Sequence, residues 1–177
     1  ENGGFSAQII KKEKNGQIHF FFKGKKLELE KYFSFVKPKL FQKTKLITKN
    51  MQKRGGGIKE IQLIDKTKDL KYYFQIFATF DTIDAMGSNF INSCLEEFAK
   101  IFIESTNDYE NINKNDIEIV MSILSNYVPN CIVRANATCS VDKLNSLHPE
   151  TKNFAKKIVD AVAIANCDIS RGVTHNK

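Results

Sequence analysis

The hydrophobic pattern of this chain switches several times between a period of two and a helical period. Phe5-Ser6-Ala7-Gln8-Ile9-Ile10 and Gln17-Ile18-His19-Phe20-Phe21-Phe22 read as two strands, with Asn15-Gly16 between them as a hairpin turn. His19 alternates with apolar neighbours and reads as a strand-face residue. From Leu27 to Arg54 the period is helical: Leu29, Tyr32, Phe33 and Val36, then Leu40, Phe41, Ile47 and Met51. Pro38 divides this stretch into two helices or starts the second, and Gly55-Gly56-Gly57 ends it. Ile58–Ile64 and Leu70–Phe80 read as an antiparallel strand pair around the polar turn Asp65–Asp69. Phe90–Ile103 is an amphipathic helix with Ile91, Cys94, Leu95, Phe98, Ile101 and Phe102 on one stripe. Ser105–Asp116 is a polar loop and Ile117–Leu124 a strand. Pro129 breaks the chain, Cys131–Ala137 is a further strand, and Lys143–Leu147 is a short helical turn. Thr151–Asn166 is a helix with Phe154, Ile158, Val159 and Val162 on its buried side, followed by a polar tail, Cys167–Lys177.

Strand, helix, strand, strand, helix, strand, preceded by one extra strand, is the split βαβ order of ferredoxin-like sandwiches. The fold class is therefore α+β, with helices over one face of an antiparallel sheet.

The stretch Asp84-Ala85-Met86-Gly87-Ser88-Asn89-Phe90-Ile91-Asn92 joins the Leu70–Phe80 strand to the helix that follows. A glycine turn leading into a helix leaves several N–H groups unpaired, and such an end attracts anions, phosphates above all. Its bland alternative is an ordinary capped start, with Asp84 or Ser88 as N-cap and Gly87 easing the turn. The spacing is not a GxGxxG pattern.

Composition narrows the picture further. At 177 residues and 42% hydrophobic, the chain can bury the core of one domain, or of one domain plus part of another. No apolar run approaches the roughly 18 residues of a membrane span, and no signal-peptide pattern opens the chain, so a cytoplasmic, membrane-free protein is expected. The start lacks an initiator Met and reads as a fragment or a processed product. Cys94, Cys131, Cys139 and Cys167 form no CxxC pair and sit in apolar patterns, so buried free thiols are expected. His19, His148 and His175 lack ligand spacing to them, and no metal site is expected. The net charge of +7 is concentrated early: between Lys11 and Arg54 the only acids are Glu13, Glu28 and Glu30. Such a face suits nucleic acid or a phosphorylated ligand, and its bland alternative is a solvated surface.

Phe80–Asn92, with its Asp84-Ala85-Met86-Gly87, resembles the nicotinamide-dinucleotide-binding signature of 3-hydroxy-3-methylglutaryl-coenzyme A reductases. The flanking Asp81-Thr82 and Asn89-Phe90-Ile91-Asn92 look like that family's bacterial and archaeal second class. Arg171-Gly172-Val173-Thr174-His175-Asn176-Lys177 is similar to the class's active-site segment. Gly3-Gly4-Phe5, Lys53–Gly57, Ile123–Asn126 and Val133-Arg134-Ala135 agree in the same order, so the resemblance covers essentially the whole chain.

The resemblance implies a ferredoxin-like dinucleotide-binding domain, residues 5–124, inserted into a mainly helical substrate domain. Residues 1–4 and 125–177 would be the part of that domain present here. It implies interconversion of HMG-CoA and mevalonate by two hydride transfers, with coenzyme A as co-product and a homodimer or larger homo-oligomer as the assembly. By resemblance, Lys177 is catalytic, and Arg171, Thr174 and Asn126 bind substrate. Asp84, Met86, Gly87, Ser88, Asn89, Asn92 and Asn126 hold the cofactor. His175 is structural or supports the residues that touch substrate. The family's catalytic glutamate would precede Glu1, and its aspartate and thiolate-protonating histidine would follow Lys177, so the piece alone is expected to be inactive.

Ser88 stands where the family usually has alanine, and the loop Ser105–Asp116 is longer than usual. Some members carry a ribose-binding acid near the end of the second helix. Thr48, Lys49 and Asn50 occupy that region here, which favours NADPH, with NADH as the alternative. Two other readings stand beside this one. The first is a catalytically dead relative. The second is a basic RNA-binding module using Phe20, Phe22, Tyr72 and Tyr73 on the sheet face; no RNP-like Gly/aromatic pattern accompanies them, and no nucleic-acid partner is expected.

Overall fold

A computed structural model describes residues 3–175. The elements are β1 (Gly3–Phe22), α1 (Lys26–Lys43), α2 (Lys45–Lys53), β2 (Gly57–Asp65), β3 (Tyr73–Asp81), α3 (Ser88–Glu104), β4 (Ile117–Leu124), β5 (Cys131–Cys139), α4 (Val141–Ser146), α5 (Phe154–Cys167) and α6 (Ile169–His175). The chain divides into two compact units. The larger is Ile9–Ile132; the smaller holds the rest, including the start of β1 and everything from Val133 onward.

The larger unit is a mixed α/β layer structure around an antiparallel sheet in the order β2-β3-β1-β4. Alternation along β1 and β3 sends Ile18, Phe20, Phe22, Phe74, Ile76, Ala78 and Phe80 to one face, where all are buried. That face meets Leu29, Tyr32, Phe33, Val36 and Leu40 of α1 and the stripe Ile91, Cys94, Leu95, Phe98, Ile101 and Phe102 of α3. The buried stripe on α3 is the one its sequence period predicts. Phe102 lies 5.3 Å from Phe20 and 5.2 Å from Tyr32 between ring centroids. The buried Tyr32 hydroxyl donates to the Phe102 carbonyl, so its polar tip is satisfied inside an apolar layer.

Several expectations are corrected here. The Asn15-Gly16 hairpin does not form: β1 runs unbroken from Gly3 to Phe22, and Gly16 pairs with Ala78 on β3 and Leu124 on β4. Glycine is needed at this point because a Cβ would collide with the Leu95 and Ile91 side chains of α3. Asn15 is buried and ties strand to loop, its Nδ2 donating to the Tyr127 carbonyl at 3.0 Å. The helix break falls at Thr44, not at Pro38, which lies within α1. The carbonyl that Pro38 leaves unpaired belongs to Ser34, four residues back and exposed to water. Thr44 instead turns its hydroxyl onto the Leu40 carbonyl at 2.7 Å, a bond that competes with the helix ladder.

The smaller unit contains β5, α4, α5 and α6, with β5 paired to β1. Ser140 caps α4, accepting from the Lys143 N–H at 3.3 Å. The polar tail is helical as α6, Ile169–His175. Among the described residues of this unit none is buried. The expected buried side of α5 is open: Ile158 is 40% exposed, Val159 67% and Val162 43%, with Phe154 half-buried. An amphipathic face buries only where another layer covers it. The cysteine expectation is corrected for the same reason: Cys94 is buried in the α3 stripe, whereas Cys131, Cys139 and Cys167 are exposed free thiols.

Candidate functional site

The turn between β3 and α3 is knit by its own side chains. Asp81, almost fully buried at the end of β3, accepts from the Ile83 N–H at 2.8 Å and pairs with Lys12 at 3.5 Å. The buried Thr82 hydroxyl donates to the Ala85 carbonyl at 2.7 Å, and the Ala85 N–H returns to the Thr82 carbonyl at 3.0 Å. Gly87 follows in the left-handed conformation, φ 81° and ψ 7°, as the N-cap of α3. A Cβ there would run into the Thr82 side chain, so both dihedral and space require glycine.

The capped-start alternative is corrected by this geometry. The cap residue is Gly87, and no side chain caps the helix. Ser88 is the first residue inside α3, and Asp84 points its carboxylate at Arg54, just past the end of α2, as an exposed ion pair. The first helical N–H to return to the chain is that of Ile91, which donates to the Gly87 carbonyl at 2.9 Å. No acid occupies the first turn of α3. The helix start is therefore free of the groups that ordinarily neutralise it, which suits an anion.

Lys14 reaches this turn from β1. Its Nζ donates to the Ala85 carbonyl at 2.8 Å and to the Met86 carbonyl at 2.7 Å. A cavity of about 200 Å³ opens beside it, lined by Lys14, Met86, Ser88, Ile91, Ser125 and Asn126 among others. Met86, Ser88 and Asn126 are thus brought together, and Gly87 lies between the first two in the chain. Asn89 is exposed on the first turn of α3. Asn92 is differently used: its Oδ1 accepts from the Leu124 N–H at 2.9 Å, fastening α3 to the end of β4.

The sequence reading assigned no role at this site to Lys14 or Arg54. Lys14 carries no short-range signal, being one lysine in a basic stretch; only the β1–β3 register, which sets it opposite Phe80, places it at the turn. Arg54 was part of a matching motif, but its contact with Asp84 depends on how α2 ends. Thr48 is fully buried with its hydroxyl turned to the Lys45 carbonyl at 3.3 Å, so it is not offered to a ligand.

Arg171 and Thr174 lie on α6 in the smaller unit. Arg171 is exposed, and Thr174 spends its hydroxyl on the Ser170 carbonyl at 2.9 Å. The expected catalytic residue, Lys177, lies outside the described residues. His19 is a strand-face residue, its Nδ1 2.6 Å from the Tyr73 hydroxyl, and burial pushes its pKa below the usual imidazole value. Phe20 and Phe22, two of the four rings an RNA-binding sheet face would need, are buried in the core.

Fold and turn together define a mixed α/β domain that presents an uncapped, glycine-led helix start beside a lysine. The chain belongs to the hydroxymethylglutaryl-coenzyme A reductase family, whose sequence model matches residues 1–177. It is 29% identical over 177 residues to a probable 3-hydroxy-3-methylglutaryl-coenzyme A reductase of Borreliella burgdorferi, covering 98% of this chain and 35% of that protein. Its fold matches the class II 3-hydroxy-3-methylglutaryl-CoA reductase of Streptococcus pneumoniae bound to NADPH in open conformations. That match has a TM-score of 0.73 and 24% identity, covering 98% of this chain and 44% of the other. A second structure of the Streptococcus pneumoniae enzyme matches with a TM-score of 0.72 and 23% identity over 98% of this chain and 39% of the other. The chain therefore spans less than half the length of these relatives.

Proposed function

We propose that this chain is the dinucleotide-binding domain, with part of the substrate domain, of a class II-like reductase that interconverts HMG-CoA and mevalonate. The observation that carries the reading is the left-handed Gly87 at an uncapped helix start. Its cradle fits a phosphate because no side chain fills it and no acid guards it. The strand order β2-β3-β1-β4 around two helical crossovers supports a ferredoxin-like scaffold for residues 5–124, with residues 1–4 and 125–177 in the larger domain.

In this reading Gly87, Ser88 and Asn89 hold the cofactor's phosphates on the helix start, and Asp84, Met86, Asn92 and Asn126 shape the site around them. The reduced nicotinamide, when bound, supplies hydride in each of two steps. Lys177 stabilises the negative charge that grows on the substrate carbonyl oxygen and can return a proton to it. Arg171 pairs its guanidinium with the hydroxymethylglutaryl carboxylate, and Thr174 and Asn126 add polar contacts. NADPH is favoured over NADH, since the end of α2 carries Lys49, Lys53 and Arg54 and no acid. The parent enzyme is a homodimer or larger homo-oligomer in the cytoplasm. Among the described residues no helix is long and apolar enough to cross a membrane.

Titration of the chain with NADPH and NADH, followed by nicotinamide fluorescence, tests the reading. NADPH binds the tighter of the two, and Gly87→Val weakens its binding at least about tenfold, a loss of roughly 1.4 kcal/mol. Undiminished binding by that variant removes the turn from the site. The chain alone forms no mevalonate; detectable product overturns that expectation.

A further inference from the structure

We propose that Lys14 is the positioning residue of the phosphate cradle, holding the Met86 and Gly87 N–H groups toward the dinucleotide's phosphate. This rests on the reading of the turn as a dinucleotide site.

The geometry follows from peptide planarity. In a trans peptide the C=O and N–H of one unit point in opposite directions. The Ala85 carbonyl shares its peptide with the Met86 N–H, and the Met86 carbonyl shares its peptide with the Gly87 N–H. Lys14 Nζ takes both carbonyls, at 2.8 and 2.7 Å. One ammonium thus turns two consecutive amide donors away from β1, just ahead of the free amides that begin α3.

The other bonds of the turn leave this orientation open. Asp81 and Thr82 organise residues 81–85, and the Thr82 hydroxyl reaches the Ala85 carbonyl but not that of Met86. Arg54 engages the Asp84 side chain. Only Lys14, among the described residues, grips the Met86 carbonyl with a side chain. Gly87 has the freedom to rotate that peptide, so an external grip is what keeps it in one orientation. Lys14 also differs from its neighbours in charge balance. Lys12 is paired with Asp81 and Arg54 with Asp84, whereas Lys14 has no carboxylate partner among the described residues. Its positive charge therefore stays at the cavity that Ser88 and Asn126 line. The anchor comes from β1, paired with β3 at Lys14 itself and with β4 from Gly16 onward, so the donors are set before a ligand arrives.

The test compares the parent chain, Lys14→Met and Gly87→Val by NADPH titration and by amide NMR. In the parent, NADPH shifts the Met86 and Gly87 amide resonances. In Lys14→Met the dissociation constant for NADPH rises about tenfold or more, and those two amides lose their ligand-induced shift. The rest of the amide spectrum and the thermal midpoint stay as in the parent, which a merely structural lysine would not allow. The proposal is overturned if Lys14→Met binds NADPH with the parent's affinity and the same two shifts. It is overturned equally, without any variant, if NADPH shifts the first amides of α3 in the parent but leaves Met86 and Gly87 unmoved. Failure of the parent to bind NADPH at all, or full binding by Gly87→Val, defeats the dinucleotide reading itself. Loss in Gly87→Val with none in Lys14→Met defeats only the role of Lys14.

Discussion

α3 and α5 carry the same kind of pattern and meet different fates. α3 lines up Ile91, Cys94, Leu95, Phe98, Ile101 and Phe102, all buried against the sheet and α1. α5 lines up Phe154, Ile158, Val159 and Val162, and none is buried. A period of 3.6 states which face of a helix seeks cover; it does not state that the cover lies in the same chain. The unit Ile9–Ile132 closes its own core. The smaller unit presents apolar side chains that nothing else among its described residues covers, in keeping with a chain that spans 35% of its Borreliella relative. In the proposed reading the dinucleotide turn belongs to the unit that closes its own core, whereas Arg171 and Thr174 belong to the smaller unit.

Thiol labelling gives the largest contrast. Burial pushes the Cys94 thiol up to about 12, so at neutral pH its thiolate fraction is about a thousandfold below that of an ordinary cysteine. Cys131, Cys139 and Cys167 are exposed. A disulfide-exchange reagent should modify three thiols at once and the fourth only on unfolding; four fast reactions would break the contrast.

Core truncation comes next. Phe98→Ala removes a fully buried ring at the centre of the α3 stripe and should cost about 3–5 kcal/mol. Val162→Ala on α5 should cost about 0.5 kcal/mol or less, as exposed substitutions do. Denaturant unfolding measures both, and equal losses would show that α5 is covered in solution.

The smallest effect is a pH dependence within the closed unit. His19 has its folded pKa below the unfolded value because burial disfavours the imidazolium. The unfolded state then binds the extra proton, so this contribution is full above the unfolded value near 6.5 and is lost as pH falls toward the lower folded pKa. His19→Gln should remove that slope from stability measured between neutral and mildly acidic pH. An unchanged slope would assign it to another group.

Much of the larger unit could be read from residues because its signals are local. β2, β3, β4 and the buried stripe of α3 follow from alternation or helical spacing a few residues long. The failures share one cause. Asn15-Gly16 has the local chemistry of a hairpin, yet Gly16 is there because two α3 side chains leave no room for a Cβ. Pro38 is the locally expected breaker, yet its exposed face tolerates it and Thr44 makes the break. Three cysteines sit in apolar runs, yet in the fold they are exposed. At the site, the sequence located the turn between a strand and a helix but offered Asp84 and Ser88 as caps. Which side chain Asp84 meets, and that none caps the helix, depends on where α2 ends.

By itself the sequence determined the α+β class, the order of most elements, the buried stripe of α3 and the family, since each rests on period, composition or contiguous motif. Only the tertiary structure decided that β1 is one strand, that Gly87 begins α3 uncapped, and that Lys14 stands over the Ala85 and Met86 carbonyls. The reason is distance along the chain: Lys14 and Met86 are separated by 72 positions, and only strand register carries one to the other.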